Sequence, residues 1–183
     1  MPRSATGTWT DTRGFTLMEL MVVIAIISIL TGLTVLAVGD GGRDREVREH
    51  ARQLAALIGV AREEVLLGAP EVGIAFTRHG YRFQHELEVD EGVLEWRDIP
   101  DAEALRPRSL AEEGIELALE VEGRRVRLER DPEHPDPQVF LEGSGMITPF
   151  ELTLADAREP DHAVRLIGEM DGNLEIERSE GRP

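Results

Sequence analysis

Hydrophobic and polar positions divide the chain into three stretches with different periods. From Phe15 to Val38 (FTLMELMVVIAIISILTGLTVLAV) apolar residues fall on every side of a helix, and Glu19 is the only charge. The uncharged part, Leu20 to Gly39, covers about 30 Å as a helix, the thickness of bilayer hydrocarbon. The sequence GDGG follows, from Gly39 to Gly42. Glycine disfavours helix by up to about 1 kcal/mol against alanine, so a kink or melted turn is expected there. From Arg43 a different helix begins. Val47, Ala51, Leu54, Ile58, Ala61 and Val65 step by four and three, an apolar stripe on one face. Arg45, Glu46, Arg48, Glu49, Arg62 and Glu63 fall off it. Gly68 and Pro70 should stop this helix near Leu67. The stripe is short for a coiled coil, and packing on the chain's own sheet is the expectation.

Beyond Pro70 the period drops to two. EVGIAF, the turn TRHG and YRFQHELEV form one expected hairpin, followed by the strand GVLEWRDI. PDAEALRPRSLAEEG reads as a loop with an ambiguous helical turn. IELALEVEG and RRVRLERD make the clearest hairpin, with Glu and Arg rows placed to pair across strands. DPEHPDP is a proline-rich loop. QVFLEGSGMITPFELTL gives two strands around a Gly-Ser-Gly turn. HAVRLIGEMDGNLEIER is a hairpin turning at Asp171–Gly172. The tail SEGRP should fray. The result is an α+β chain, a long N-terminal helix packed on a C-terminal antiparallel β-sheet domain.

Composition narrows the function. The 183 residues carry a formal net charge of −16. That opposes a nucleic-acid partner, which needs a basic face, and opposes adhesion to anionic lipid heads. Cysteine is absent, so neither disulfides nor thiolate chemistry contribute. Aromatic residues make up 4%, so the core must be Leu, Val and Ile. No close His pair, phosphate loop or nucleophile elbow occurs. Of the five histidines, His50, His79, His85, His134 and His162, the two flanking the first hairpin, His79 and His85, are expected at the surface. Asp171-Gly172-Asn173 lacks the spacing of a calcium loop. No catalytic residue, cofactor or metal is expected, and the chain is not expected to be an enzyme.

The apolar span poses one problem. A carboxylate near a bilayer core costs roughly 2.5 kcal/mol or more, yet Glu19 stands at its start. Arg3 and Arg13 precede the span and favour a cytoplasmic N-terminus. The run is long for a secretory signal, and no A-x-A-like cleavage site follows it. The span is therefore expected to stay attached as a single-pass anchor.

The stretch RGFTLMELMVVIAIISIL resembles the N-terminus of the type IV pilin superfamily, shared by pilins and by the pseudopilins of type II secretion. The resemblance implies a prepilin peptidase cut between Gly14 and Phe15 and methylation of the new N-terminus at Phe15. It implies a role in assembly for Glu19, paired with the N-terminal amine of a neighbouring subunit. Phe15 and Glu19 are four apart and share one helical face, and a carboxylate in an apolar bundle needs a positive partner. An ordinary first-turn acid favoured by the helix dipole is the plainer reading. ARQLAALIGVAREEVLLGAPEVGIAF, GYRF and GSGMITPFELTL resemble the H-type minor pseudopilins and the related FimT-like minor pilins, with Gly145, Thr148, Pro149 and Phe150 carrying the late motif. That motif is expected to determine fold, not catalysis.

These resemblances imply a leader over 1–14, a transmembrane and assembly helix over 15–39, the soluble half of the helix over 40–68 and a periplasmic β-rich domain over 69–183. Expected partners are the prepilin peptidase, the other minor pseudopilins, the major pseudopilin and the inner-membrane assembly platform. Expected placement is the inner membrane, single-pass, with the C-terminal domain in the periplasm. Two other functions fit parts of the pattern. One is a FimT-like minor pilin in pilus assembly or DNA uptake, which the acidic charge disfavours. The other is a one-span sensor domain, which needs no cut at Gly14.

Overall fold

The computed structural model describes residues 17–39, 41–99, 104–130, 132–160 and 163–179, with side chains in the first helix described to Leu30. Gly14, Phe15 and residues 180–183 of the tail lie outside the described residues, while Ser179, expected to fray with that tail, ends β10 buried and paired with Ala163. The chain divides into two compact units, Met1–Asp40 and Gly41–Pro183.

The first unit holds α1, Leu17–Gly39. Its 23 residues correspond to about 35 Å of helix. Among the described residues, no helix is long and apolar enough to cross a membrane. This does not bear on the expected span from Leu20 to Gly39. The backbone helix does run to Gly39, but the side chains past Leu30 that would complete the apolar surface are not among those described.

The second unit opens with α2, Gly41–Leu66. Of the stretch Gly39–Gly42 where a kink is expected, Gly39 closes α1, Gly41 and Gly42 are helical, and Asp40 lies outside the described residues. All six stripe residues, Val47, Ala51, Leu54, Ile58, Ala61 and Val65, are buried. The helix ends close to the expected place. Gly68 has φ 99°, its N–H donates to the Val65 carbonyl, and the Ala69 N–H donates to the Glu64 carbonyl. This pair of bonds satisfies carbonyls that the last turn would leave bare, and it requires a left-handed residue at Gly68.

Among the described residues ten strands follow: β1 Val72–Thr77, β2 Gly80–Asp90, β3 Val93–Asp98, β4 Arg108–Ser109, β5 Ile115–Val121, β6 Arg124–Val126, β7 Val139–Leu141, β8 Phe150–Asp156, β9 Ala163–Gly168 and β10 Leu174–Ser179. They form two antiparallel sheets where a single sheet domain was expected. One has the order β3-β2-β1-β7, with β4 also on β2; the other is β10-β9-β8-β5-β6. The hairpins β1–β2, β5–β6 and β9–β10 form as the turn residues predict. Two readings gain detail. The loop before Ile115 holds a hydrogen-bonded turn over Ala111–Gly114 and, ahead of it, a two-residue strand, β4, paired with Gly80 and Tyr81. The stretches flanking Gly-Ser-Gly meet at one antiparallel bridge, Leu141 with Ile147, and beyond it β7 joins the first sheet and β8 the second.

Among the described residues the core is aliphatic with four buried aromatics, Phe76, Tyr81, Phe83 and Phe150. Leu54 and Ile58 of α2, Ile74, Phe76 and Phe83 of the first sheet, and Leu119, Leu152, Leu154 and Leu166 of the second form one cluster. The α2 stripe lies chiefly against β9 and β8 and also meets β1, β7 and β10. One helix face therefore serves both sheets. Burial at about 25 cal/mol per Å² is the main force holding such a core together.

Candidate functional site

α1 presents a surface made for burial in something larger. Leu17, Met18, Leu20, Met21, Ile24, Ile26, Ile27, Ile29 and Leu30 are exposed, and they point in every direction around the axis. A helix apolar on all sides is stable when lipid or other helices surround it. Glu19 lies in its first turn, exposed among these residues. Of the three residues assigned to processing and assembly, Glu19 alone falls within the described chain. Ser28 sits mid-helix, where its hydroxyl donates back to the Ile24 carbonyl at 2.8 Å and is thereby satisfied.

The late motif is a clasp joining the two sheets. The Phe140 N–H donates to Thr148 Oγ1 at 3.1 Å. The Thr148 N–H returns a bond to the Phe140 carbonyl at 3.0 Å. Thr148 therefore closes a two-way link onto β7, while Pro149 offers its carbonyl to the Glu122 N–H at 3.0 Å. Phe150, at the start of β8, is buried and stacks 6.2 Å from Phe76 of the other sheet. A Cβ on Gly168 would overlap the Phe150 ring, so this ring fits only because its β9 neighbour is glycine.

Arg62 ties this clasp to α2, a function its position off the stripe did not reveal. Its Nε donates to the Gly145 carbonyl and its Nη2 to the Asp171 carbonyl, both at 2.8 Å. Gly145 and Gly172 have φ 81° and 83°. A Cβ on Gly172 would lie 2.5 Å from the guanidinium carbon, and one on Gly145 would lie 2.9 Å from Leu66. Two glycine turns thus close on one arginine. The partners are 83 and 109 positions away in sequence, so no local pattern announces them. The Asp171-Gly172-Asn173 stretch is a turn: Asp171 Oδ1 accepts the Asn173 N–H at 2.9 Å.

His85 differs from the expected surface position. It is half-buried, its Nε2 is enclosed without a hydrogen-bond partner, and burial lowers its pKa while Glu64 opposes that shift. It sits on β2, opposite Val72 of the buried strand β1. His79 is partly covered and lies 3.6 Å from Glu116. Among the described residues no three His, Asp or Glu side chains stand close enough to hold a metal.

An apolar helix with one acid, followed by a helix-and-sheet unit clasped at Gly145–Phe150, is the arrangement on which comparison with known proteins bears. Residues 50–172 match the family model of the type II transport protein GspH. The chain belongs to the GspH family. Residues 9–35 also match the prokaryotic N-terminal methylation motif. The type II secretion system protein H of Pseudomonas aeruginosa is 37% identical over 161 residues, covering 84% of this chain and 89% of that protein. The Escherichia coli protein of the same name is 28% identical over 160 residues, covering 85% and 88%. The crystal structure of the minor pseudopilin EpsH of Vibrio cholerae superposes with a TM-score of 0.59 at 23% identity, covering 76% of this chain and 98% of that one. The solution structure of Escherichia coli GspH gives 0.58 at 22% identity, covering 76% and 94%. These two likenesses establish the pilin-like α+β fold. The GspH family is one of structural pseudopilins of type II secretion, and the FimT-like alternative is not favoured.

Proposed function

We propose that this GspH-family chain is a minor pseudopilin made as a precursor, cut between Gly14 and Phe15, methylated at Phe15, and built into the pseudopilus through α1. The observation that carries this reading is the surface of α1: apolar all round, with Glu19 as its one charge. The cut creates an α-amino group at Phe15, one helical turn from Glu19. In the assembled bundle Glu19 pairs with that amine on a neighbouring subunit, so the acid is compensated only once the neighbour is in place. Before assembly, α1 anchors the chain in the inner membrane with the second unit in the periplasm. Its partners are the prepilin peptidase, the other pseudopilins and the inner-membrane assembly platform, and its work is the export of folded proteins across the outer membrane.

Mass spectrometry of the mature N-terminus tests the cut, with a methylated Phe15 expected and a retained Met1 contradicting the proposal. Glu19→Ala tests the pairing. Membrane fractionation should find the variant inserted as the wild type is, while its methylation or its recovery in isolated pseudopili drops severalfold. Undiminished incorporation would remove Glu19 from the mechanism.

A further inference from the structure

Two strand edges of the β-domain carry opposite charge at matching spacing. β1 pairs with β2 only as far as Val72 with His85, whereas β2 and β3 run on together to Asp90 and Val93. Among the described residues the outer part of β2 is therefore half of a two-stranded ribbon, open on the side where β1 has stopped, and residues 86–90 are all exposed. A ribbon of two strands is marginal by itself, and an open strand edge is a template for another strand. This ribbon carries Glu86, Glu88, Asp90, Glu91 and Glu95, and Leu87 on its open strand is 42% exposed. β6 is the edge strand of the second sheet. It reads Arg124, Arg125, Val126 and continues into Arg127, a run of arginines in a chain of net charge −16.

Backbone direction matches the charge. In an antiparallel ladder the N–H and C=O groups of successive residues point to opposite edges of the strand. The Ile99 N–H donates to the Phe83 carbonyl. Phe83 therefore faces β3, and Glu86 and Glu88, of the other parity, face the open edge. On β6, the two-residue turn at Glu122 and Gly123, with φ 50° and 73°, makes Val121 and Arg124 the closing hydrogen-bonded pair. Arg124 and Val126 then bond β5, while Arg125 faces outwards and Arg127 is next in phase. Acids stand at the open positions of one edge and arginines at those of the other.

We propose that β6 of a second copy of this chain adds antiparallel to the open edge of β2. Glu86 then meets Arg127, Leu87 meets Val126 and Glu88 meets Arg125. Main-chain bonds supply the docking, and the two Glu–Arg pairs fix its register. A second copy is the occupant because the complementary strand, with the same spacing and the opposite charge, is part of this chain. The contact joins different surfaces of the two copies, so each pair still offers one edge of each kind. It uses none of Gly14, Phe15 and Glu19, so its test can fail or succeed apart from the pseudopilin reading.

The test uses the full chain in detergent micelles and exploits its lack of cysteine. Chains carrying Leu87→Cys are mixed with chains carrying Val126→Cys under mild oxidation, and the mixed disulfide is followed on gels. In the proposed register these two positions form a non-hydrogen-bonded pair with Cα atoms about 4.5 Å apart, within disulfide reach. The mixed dimer should form about tenfold faster than from Leu94→Cys with Val126→Cys, because Leu94 lies on β3, one strand further from the docked edge. Glu86→Arg with Glu88→Arg in the first chain should slow the reaction about tenfold, and so should Arg125→Glu with Arg127→Glu in the second. Mixing the two charge-reversed chains should restore the rate. Association through α1 alone is indifferent to these charges. Circular dichroism checks that the reversed chains fold, and neutral Gln at the same positions replaces them if they do not, with slowing expected and no restoration. No mixed disulfide, equal rates from Leu87→Cys and Leu94→Cys, indifference to the charge changes, or reversed chains that fold and fail to restore the rate would each overturn the proposal.

Discussion

The two helices carry their apolar residues in opposite ways, and the contrast separates what holds the domain together from what joins it to others. In α2 the stripe Val47 to Val65 is buried, and the polar residues beside it face water. In α1 the apolar residues are exposed on every side. The first arrangement is complete within one chain. The second makes sense only with neighbours, whether lipid or helices. A residue's hydrophobicity is thus the same in both, and its partner differs.

The strongest way to break this contrast is to truncate one apolar side chain on each helix, buried Leu54 and exposed Ile24. Leu54→Ala, at a site with 0% exposure, should cost about 2–5 kcal/mol in denaturant unfolding. N-terminal processing should persist in the fraction that folds. Ile24→Ala on α1 should leave the unfolding midpoint where it is and lower recovery in pseudopili. An equal loss of midpoint from both substitutions would mean that α1 also supports the core, and the division would fall.

The clasp comes next in size. Gly168→Ala places a methyl group on the Phe150 ring. Overpacking of this kind costs about 1–3 kcal/mol, and calorimetry should show a lower Tm with the fold intact. An unchanged Tm would mean that the ring moves freely and that the clasp is looser than the geometry suggests. Arg62→Gln, which removes two bonds from a half-exposed guanidinium, should cost about 1 kcal/mol. Hydrogen exchange should speed up at the Gly145 and Gly172 turns before it does in the α2 stripe. Uniform acceleration would show that Arg62 acts on the whole core and not on the turns.

The elements most legible in the sequence are those whose signal is local. The stripe of α2, its stop at Gly68 and the β9–β10 turn at Asp171–Gly172 each rest on spacing or on one residue's backbone preference. The division of the strands into two sheets was not legible. QVF and PFELTL look like neighbours around a turn, but Thr148 bonds β7 while Phe150 begins β8, so the chain changes sheet between them. β4 was hidden for a similar reason. Two residues carry no period, and only the bare face of Gly80 makes room for them. For the assembly site the reverse holds. Gly14, Phe15 and Glu19 stand out by motif, while Arg62, bound to carbonyls 83 and 109 positions away, does not.

The smallest effect concerns where α2 begins. Asp156 ends β8 and is 3% exposed. Burial alone would raise its pKa above 3.8. The N–H groups of Arg158 and Glu159, at 2.7 and 3.1 Å, and the Arg43 guanidinium on α2, with Nε at 3.5 Å, together outweigh burial and lower it. A carboxylate with a lowered folded-state pKa adds stability above its unfolded value. That stability is lost as the pH falls from about 3.8 through the lowered value. Asp156→Asn should therefore be less stable than the wild type at pH 7, by on the order of 1 kcal/mol. The gap should close as urea unfolding is repeated at progressively lower pH. A gap that stays constant from pH 7 to pH 2 would assign it to packing of the side chain. It would leave the ionised form of Asp156 with no part in joining α2 to the second sheet.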